Sequence, residues 1–271
     1  MRFVKSLAPG LLAIAFAAPA FSQSPELTLT RFDCGTPQQP TDVNQRFSDT
    51  FAFPGVKVQF VYSCYLIRHG NDYMMWDTGF AADAGPTAPR ETVPQQLAKI
   101  GVKAEEVKFV GISHYHGDHL GGVSGFPNAT LLIGKGDWEG LTAAKPAPGA
   151  NPALVAHWIS GGGKVEPVPA DKDVFGDGTV VMLYTPGHTP GHHSLLVKLA
   201  KMGPVILVGD AAHFHENYDT DGVPSFNYDR AQTEASIERI KKLAANLKAT
   251  VVIQHDARDV SKLPVAPESA K

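Results

Sequence analysis

The spacing of apolar and polar positions changes several times along this chain, and each change marks an element. Residues 26–32 alternate, with Leu27 and Leu29 on one side, and predict a strand. Residues 33–55 are rich in Pro, Gln, Asp and Ser and predict a long surface loop. Residues 56–68 are β-branched and aromatic and predict a strand, which Asn71-Asp72 turns back into a hairpin partner over 73–76. Helical spacing over 92–100 stops at Gly101. Short apolar runs at 107–113, 129–133, 164–168, 180–185, 193–199 and 204–209 predict further strands, with a last one at 250–254. Residues 137–157 carry Trp138, several alanines and Pro146, Pro148 and Pro152, which predicts broken helix and loop. The best helix covers 229–247. There Ile237, Ile240, Leu243, Ala244 and Leu247 share one face, and Arg239, Lys241 and Lys242 lie off it. Residues 261–271 read as a frayed tail.

The strands fall into two groups, each mixed with helices, with no short-period repeat and no linker between independent units. This order predicts two sheets packed face to face with helices outside, in one domain over 23–271. The 271 residues are enough to bury a substantial core, and 43% hydrophobic with 19% charged residues is a globular composition. A formal net charge of −3 carries no basic bias, which argues against nucleic acid or an anionic membrane as partner and leaves a small molecule as the fitting class. A homodimer is compatible with this composition.

The N-terminus stands apart. Arg2 and Lys5 precede an apolar stretch over 7–21 that is short for a membrane span, and Ala18-Pro19-Ala20 or Ala20-Phe21-Ser22 supplies a cleavage context. Residues 1–22 therefore read as a secretory signal peptide, with an uncleaved anchor as the alternative. Export implies a periplasmic or secreted protein with no stable membrane association after cleavage. In that setting Cys34 and Cys64 either pair, closing a loop of about 30 residues for roughly 3 kcal/mol, or remain two buried thiols.

The strongest chemical signal is Ser113-His114-Tyr115-His116-Gly117-Asp118-His119-Leu120-Gly121-Gly122, directly after a predicted strand. His114 and His116 are two apart, so extended backbone points both the same way. Gly117 permits the bend that turns Asp118 and His119 toward a neighbouring position. A His/Asp set favours zinc or a similar borderline divalent ion over calcium or magnesium. Thr185-Pro186-Gly187-His188-Thr189-Pro190-Gly191-His192 is a rigid loop at a strand end, with His188 as ligand and His192 as a satisfied loop histidine. The run 205–209 delivers Asp210, whose two oxygens can bridge two metals, although an aspartate there also suits a turn. The run 251–254 ends in His255. Asp77 either orients a metal-bound histidine or stabilises a turn.

His114-x-His116-x-Asp118-His119, followed by His188, Asp210 and His255, resembles the metallo-β-lactamase superfamily over residues 26–260. Asp33-Cys34-Gly35, Trp76-Asp77-Thr78-Gly79 and 185–192 are similar to its N-acyl homoserine lactonase group. The resemblance implies an α+β, αβ/βα four-layer sandwich with two mixed β-sheets and the metal site along one edge. It implies two zinc ions, one held by His114, His116 and His188, the other by Asp118, His119 and His255, with Asp210 bridging. It implies a zinc-dependent hydrolase that opens lactone rings, N-acyl homoserine lactones first (quorum quenching), by attack of a hydroxide shared between the metals, with Asp118 and Asp210 catalytic. Other dinuclear-zinc hydrolases of the fold, acting on β-lactams, organophosphates or thioesters, are the alternative, and a metal-scavenging protein is the non-enzymatic one. Many lactonases of the group carry tyrosine three residues after the bridging aspartate; here that residue is His213, with Tyr218 and Tyr228 as nearby substitutes. Tyr115 and His213 are the candidate substrate contacts. Trp138, Trp158, Phe80 and Phe214 are candidates either for an acyl cleft, capped by residues 138–160, or for ordinary core.

Overall fold

The computed structural model describes residues 25–271 together with Met1 and Phe3, so the expected signal peptide over 1–22 lies essentially outside the described residues. Among the described residues thirteen strands follow in chain order: β1 Leu27–Asp33, β2 Thr41–Asp42, β3 Lys57–Val58, β4 Ser63–His69, β5 Asp72–Trp76, β6 Val107–Ile112, β7 Thr130–Gly134, β8 Val165–Val168, β9 Lys172–Asp173, β10 Val180–Tyr184, β11 His193–Leu199, β12 Gly203–Leu207 and β13 Thr250–Val252. The α-helices are α1 Val93–Lys99, α2 Gly117–Leu120, α3 Lys135–Thr142, α4 Ala156–Ile159, α5 His215–Thr220, α6 Arg230–Leu247 and α7 Ala257–Val260. No described helix is long and apolar enough to cross a membrane.

Two sheets form from these strands. One has the order β1-β4-β5-β6-β7-β8 and the other β13-β12-β11-β10-β9, while β2 and β3 make a separate small hairpin. Both sheets are mixed. The first changes from antiparallel to parallel pairing at β5, and the second is antiparallel except for the β12–β13 pair. Side-chain alternation shows why they stack. Tyr65 and Ile67 of β4, Met74 and Trp76 of β5 and Leu132 of β7 meet Met182, Leu195, Val197, Val205 and Leu207 of the second sheet in one core. The opposite faces carry Leu66, Met75, Leu131 and Ile133 against α1, and Leu196 and Ile206 against Ile240 of α6. Helix, sheet, sheet and helix are thus the four layers expected. A full Thr92–Gln95 capping box starts α1, and Asp229 caps α6. Cys34 and Cys64 are joined in a disulfide, with a Cα separation of 5.8 Å.

Three expectations need correction. The strand expected at 56–68 is two strands. Residues 59–62 leave the ladder, because the Val61 carbonyl turns to accept the Nδ1 proton of His255 (2.8 Å). The loop expected at 33–55 contains β2, which pairs with β3. The expected frayed tail is docked. Leu29 and Ala270 exchange both backbone hydrogen bonds (3.0 and 2.9 Å), and Leu263 is buried in the inter-sheet core. The physical reason is the open edge of β1, whose unpaired N–H and C=O groups the tail satisfies.

Candidate metal centre

The residues singled out sit just beyond the C-terminal ends of strands. His114 follows β6 by two residues, His188 follows β10, Asp210 follows β12 and His255 follows β13. Parallel pairing of β6 with β7 and of β12 with β13 brings these ends to one edge of the stacked sheets. His116 caps α2, which turns Asp118 and His119 back toward that edge. The seven side chains converge in two groups, His114, His116, His188 and Asp210 in one, Asp118, His119 and His255 in the other. Within each group the ligand atoms lie within 4.8 Å of one another. All seven side chains expected as ligands are brought together here.

Orientation is fixed from outside. Ser113 Oγ donates to Asp77 (3.0 Å) and takes the Nδ1 proton of His114 (3.1 Å). His119 Nδ1 donates to Asp77 (2.9 Å), His188 Nδ1 to Asn227 Oδ1 (3.0 Å) and His255 Nδ1 to the Val61 carbonyl. In the neutral form each of these four rings is thereby set to turn a free Nε2 inward, the tautomer a metal requires. Asp77 resolves to the orienting role rather than the turn role. It is fully buried, sits at φ +58°, and also accepts from the Ser113 N–H and from Gln254. His192 belongs to neither group, and it is hydrogen-bonded on both ring nitrogens. Its Nε2 accepts the Asp210 N–H (3.0 Å) while its Nδ1 donates to the Thr185 carbonyl (2.8 Å). The turn at Gly209 needs φ +59°, and a Cβ there would meet His192 Nε2 at 2.6 Å, so glycine is required by both conformation and space.

Inside, the arrangement is unsatisfied by protein alone. His116 Nδ1 lies 2.8 Å from His114 Nε2 and 3.0 Å from His188 Nε2, and His119 Nε2 lies 3.2 Å from His255 Nε2. Imidazole lone pairs at these separations repel unless cations lie among them. Asp210 Oδ1 is buried with no well-directed hydrogen bond. The donor set, five imidazoles and two carboxylates, fits divalent zinc or a close relative. Burial pushes His114, His188 and His116 below the ordinary imidazole value. Burial also opposes charge on His119 and His255, but the Asp210 and Asp118 carboxylates outweigh it and raise both. The Asp210 carboxyl is driven well down: burial would raise it, and the surrounding imidazoles, His255 and His119 first, overcome that.

A cavity of about 620 Å³ opens on this centre. Its wall is Phe47, Phe60, Tyr62 and Phe226, with Arg46 stacked 4.9 Å over Phe226. His213 lines it, with Nε2 3.1 Å from Asp210 Oδ2. Tyr115 does not. Its ring is buried in the outer core of the first sheet, because residues between two inward-pointing histidines of an extended segment point away from them. Trp138 and Trp158 pack in the same core, Phe214 is enclosed by Phe47 and Phe53, and Phe80 packs behind Tyr62. Tyr218 packs against the α6 side of the second sheet and Tyr228 is exposed, and His213 is the one of the three candidates that lines the cavity. Of the expected cap over 138–160, Pro148 and Gly149 reach the cavity. Sequence reasoning missed the wall, of which Phe47 comes from the stretch read as a plain loop, Phe60 and Tyr62 from the stretch read as a strand, and Phe226 from the segment before α6. The available signal in the loop was Phe47 in an otherwise polar segment.

The chain belongs to the Metallo-beta-lactamase superfamily, whose sequence profile matches residues 59–255. Among relatives, it is 30% identical over 224 residues to the N-acyl homoserine lactonase AttM of Azorhizobium caulinodans, covering 71% of this chain and 80% of that protein. Its fold matches an N-acyl homoserine lactone hydrolase solved with the product N-hexanoyl-L-homoserine at its catalytic metal centre. The TM-score is 0.74 at 23% identity, over 91% of this chain and all of that one. It also matches AidC, a dizinc quorum-quenching lactonase, with TM-score 0.66 at 21% identity, over 87% of this chain and 90% of that one.

Proposed function

We propose that this protein is a dinuclear zinc hydrolase that opens lactone rings, with N-acyl homoserine lactones as its substrates. One observation carries the reading. Asp210 divides its two oxygens between the two ligand groups: Oδ1 faces His119 (3.2 Å) and His255 (3.0 Å), and Oδ2 faces His188 (3.5 Å) and His114 (3.7 Å). A carboxylate so divided suits two cations side by side. The lactonases among its relatives support the substrate class.

Bound zinc ions would supply a hydroxide nucleophile near neutral pH and Lewis acidity for the carbonyl. The chain's own residues do the rest. Asp118 lines the cavity and its side chain is 23% exposed, so its carboxylate can take the proton released as water adds and return it to the ring oxygen as the ester C–O bond breaks. His213 faces the same space beside Asp210 and can steady the carbonyl or the leaving oxygen. Phe47, Phe60 and Phe226 offer apolar surface for an acyl chain. We also place the protein outside the cytoplasm, with residues 1–22 as its secretory signal. The Cys34–Cys64 disulfide supports an oxidising compartment.

The test is metal analysis with a lactone-opening assay on wild type and Asp210→Ala. Two zinc equivalents and lactone turnover in the wild type, with loss of one equivalent and of activity in the variant, are expected. Turnover of a cephalosporin, a phosphotriester or a thioester with none of any acyl homoserine lactone would overturn the substrate assignment.

A further inference from the structure

Asp137 is a buried carboxylate that the reaction above does not use. It lies in the first turn of α3, is completely covered, and touches no cation among the described residues. Its hydrogen bonds go to two places far apart in sequence. Oδ2 accepts the backbone N–H of Tyr115 (3.1 Å), the residue between His114 and His116. The same oxygen takes the Thr189 hydroxyl (2.9 Å), and Oδ1 takes the Gly191 N–H (2.7 Å), in the loop that holds His188. The approach is tight: a Cβ on Gly191 would lie 2.4 Å from the Asp137 nitrogen.

These contacts join the two sheets at the metal edge. The 113–116 segment leaves β6 of the first sheet, and the 185–192 loop leaves β10 of the second. We infer that Asp137 is a positioning residue that clamps these two loops together and so sets the spacing of His114, His116 and His188, the three imidazoles of one metal position. The inference rests on the two-metal reading of the centre. His119 and His255 are oriented by other contacts, the Asp77 carboxylate and the Val61 carbonyl, and Asp118 and His119 lie in α2, beyond the clamped segment. Tyr115 and Gly191 donate to different oxygens, so replacing either oxygen by an amide NH2 strands one buried N–H and sets a donor against it. The loops then relieve this by parting, which opens one metal position and leaves the other.

The selectivity is the test. Zinc-loaded wild type, Asp137→Asn and Thr189→Val are titrated with a chromophoric chelator. In Asp137→Asn one equivalent should weaken about 10- to 100-fold and the other stay as in wild type. Thr189→Val removes one of the three bonds without touching the carboxylate, so it should weaken the same equivalent by a smaller factor and keep the fold. Cadmium NMR reads the two positions separately: the resonance that moves in both variants should be the one His116→Ala abolishes, and not the one His119→Ala abolishes. Equal weakening of both equivalents, or none in either variant, overturns the clamp. A wild type that holds no metal overturns the two-metal reading and the clamp together, so the two failures are told apart.

Discussion

His213 holds its Nε2 3.1 Å from Oδ2 of Asp210, while its Nδ1 is buried without a hydrogen-bond partner. The ring is wedged edge-on against Phe47 and His188, with centroids 5.1 Å away in each case, so it is held in place by packing. A fixed imidazole on the cavity wall that is not among the seven converging ligands should serve the substrate rather than the cations. His213→Ala is therefore expected to lower kcat/KM about tenfold or more with zinc content unchanged, in the range typical of a lost polar transition-state contact. Steady-state kinetics beside metal analysis checks this. Unchanged kinetics would remove His213 from the reaction.

Phe47 and Phe226 meet edge to face at 5.5 Å and form the apolar side of the cavity. Each CH2 of an acyl chain buried against this surface is worth about 0.8 kcal/mol, so two of them correspond to about a tenfold effect. Phe226→Ala should raise KM about tenfold for long-chain lactones and change it little for the shortest. Kinetics on a chain-length series gives the answer, and a uniform change across the series would contradict it.

Burial pushes the Asp137 carboxyl up to about 7, against the pull of its three hydrogen bonds. The unfolded chain releases this proton near about pH 4. Between those values the folded protein holds one more proton than the unfolded one. Stability from this group is thus complete below about pH 4 and is lost as pH rises through about 7. Urea unfolding of metal-free wild type and Asp137→Asn, from about pH 5 to about pH 8, should show the wild type losing stability relative to the variant. A difference that is flat with pH would contradict the shift.

The Cys34–Cys64 disulfide closes a loop across a sequence separation of 30. Constraint of the unfolded chain by such a loop is worth about 3 kcal/mol. The double variant Cys34→Ser, Cys64→Ser should lose stability of that order in denaturant titration. Equal midpoints for the variant and the oxidised wild type would show that the link adds nothing.

Much of the centre was readable because its chemistry is written locally. Four ligands fall within residues 114–119, and His188, Asp210 and His255 each follow an apolar run that can only be a covered strand. The inter-sheet core was readable for the same reason, since residues such as Leu195 and Val197 alternate with the strand period. What stayed hidden depends on contacts between distant segments. Nothing near Asp137 in sequence announces Tyr115 or Gly191, and nothing near Asn227 announces His188. The tail at 261–271 is polar and proline-containing, yet it is ordered by the free edge of β1, which no local pattern reveals. Tyr115 was misplaced because its neighbours in sequence are ligands, whereas its side chain belongs to the opposite face.

His255 completes the second ligand group and follows β13, near the end of the chain. A polypeptide still growing on the ribosome, and shorter than that, lacks both the imidazole and the β12–β13 pairing that aims it. Chemistry therefore has to wait until β13 has been made and has paired with β12, so turnover is itself a report that the second sheet has closed. Any shortening that removes β13 should leave a protein able to gather part of its metal and unable to act.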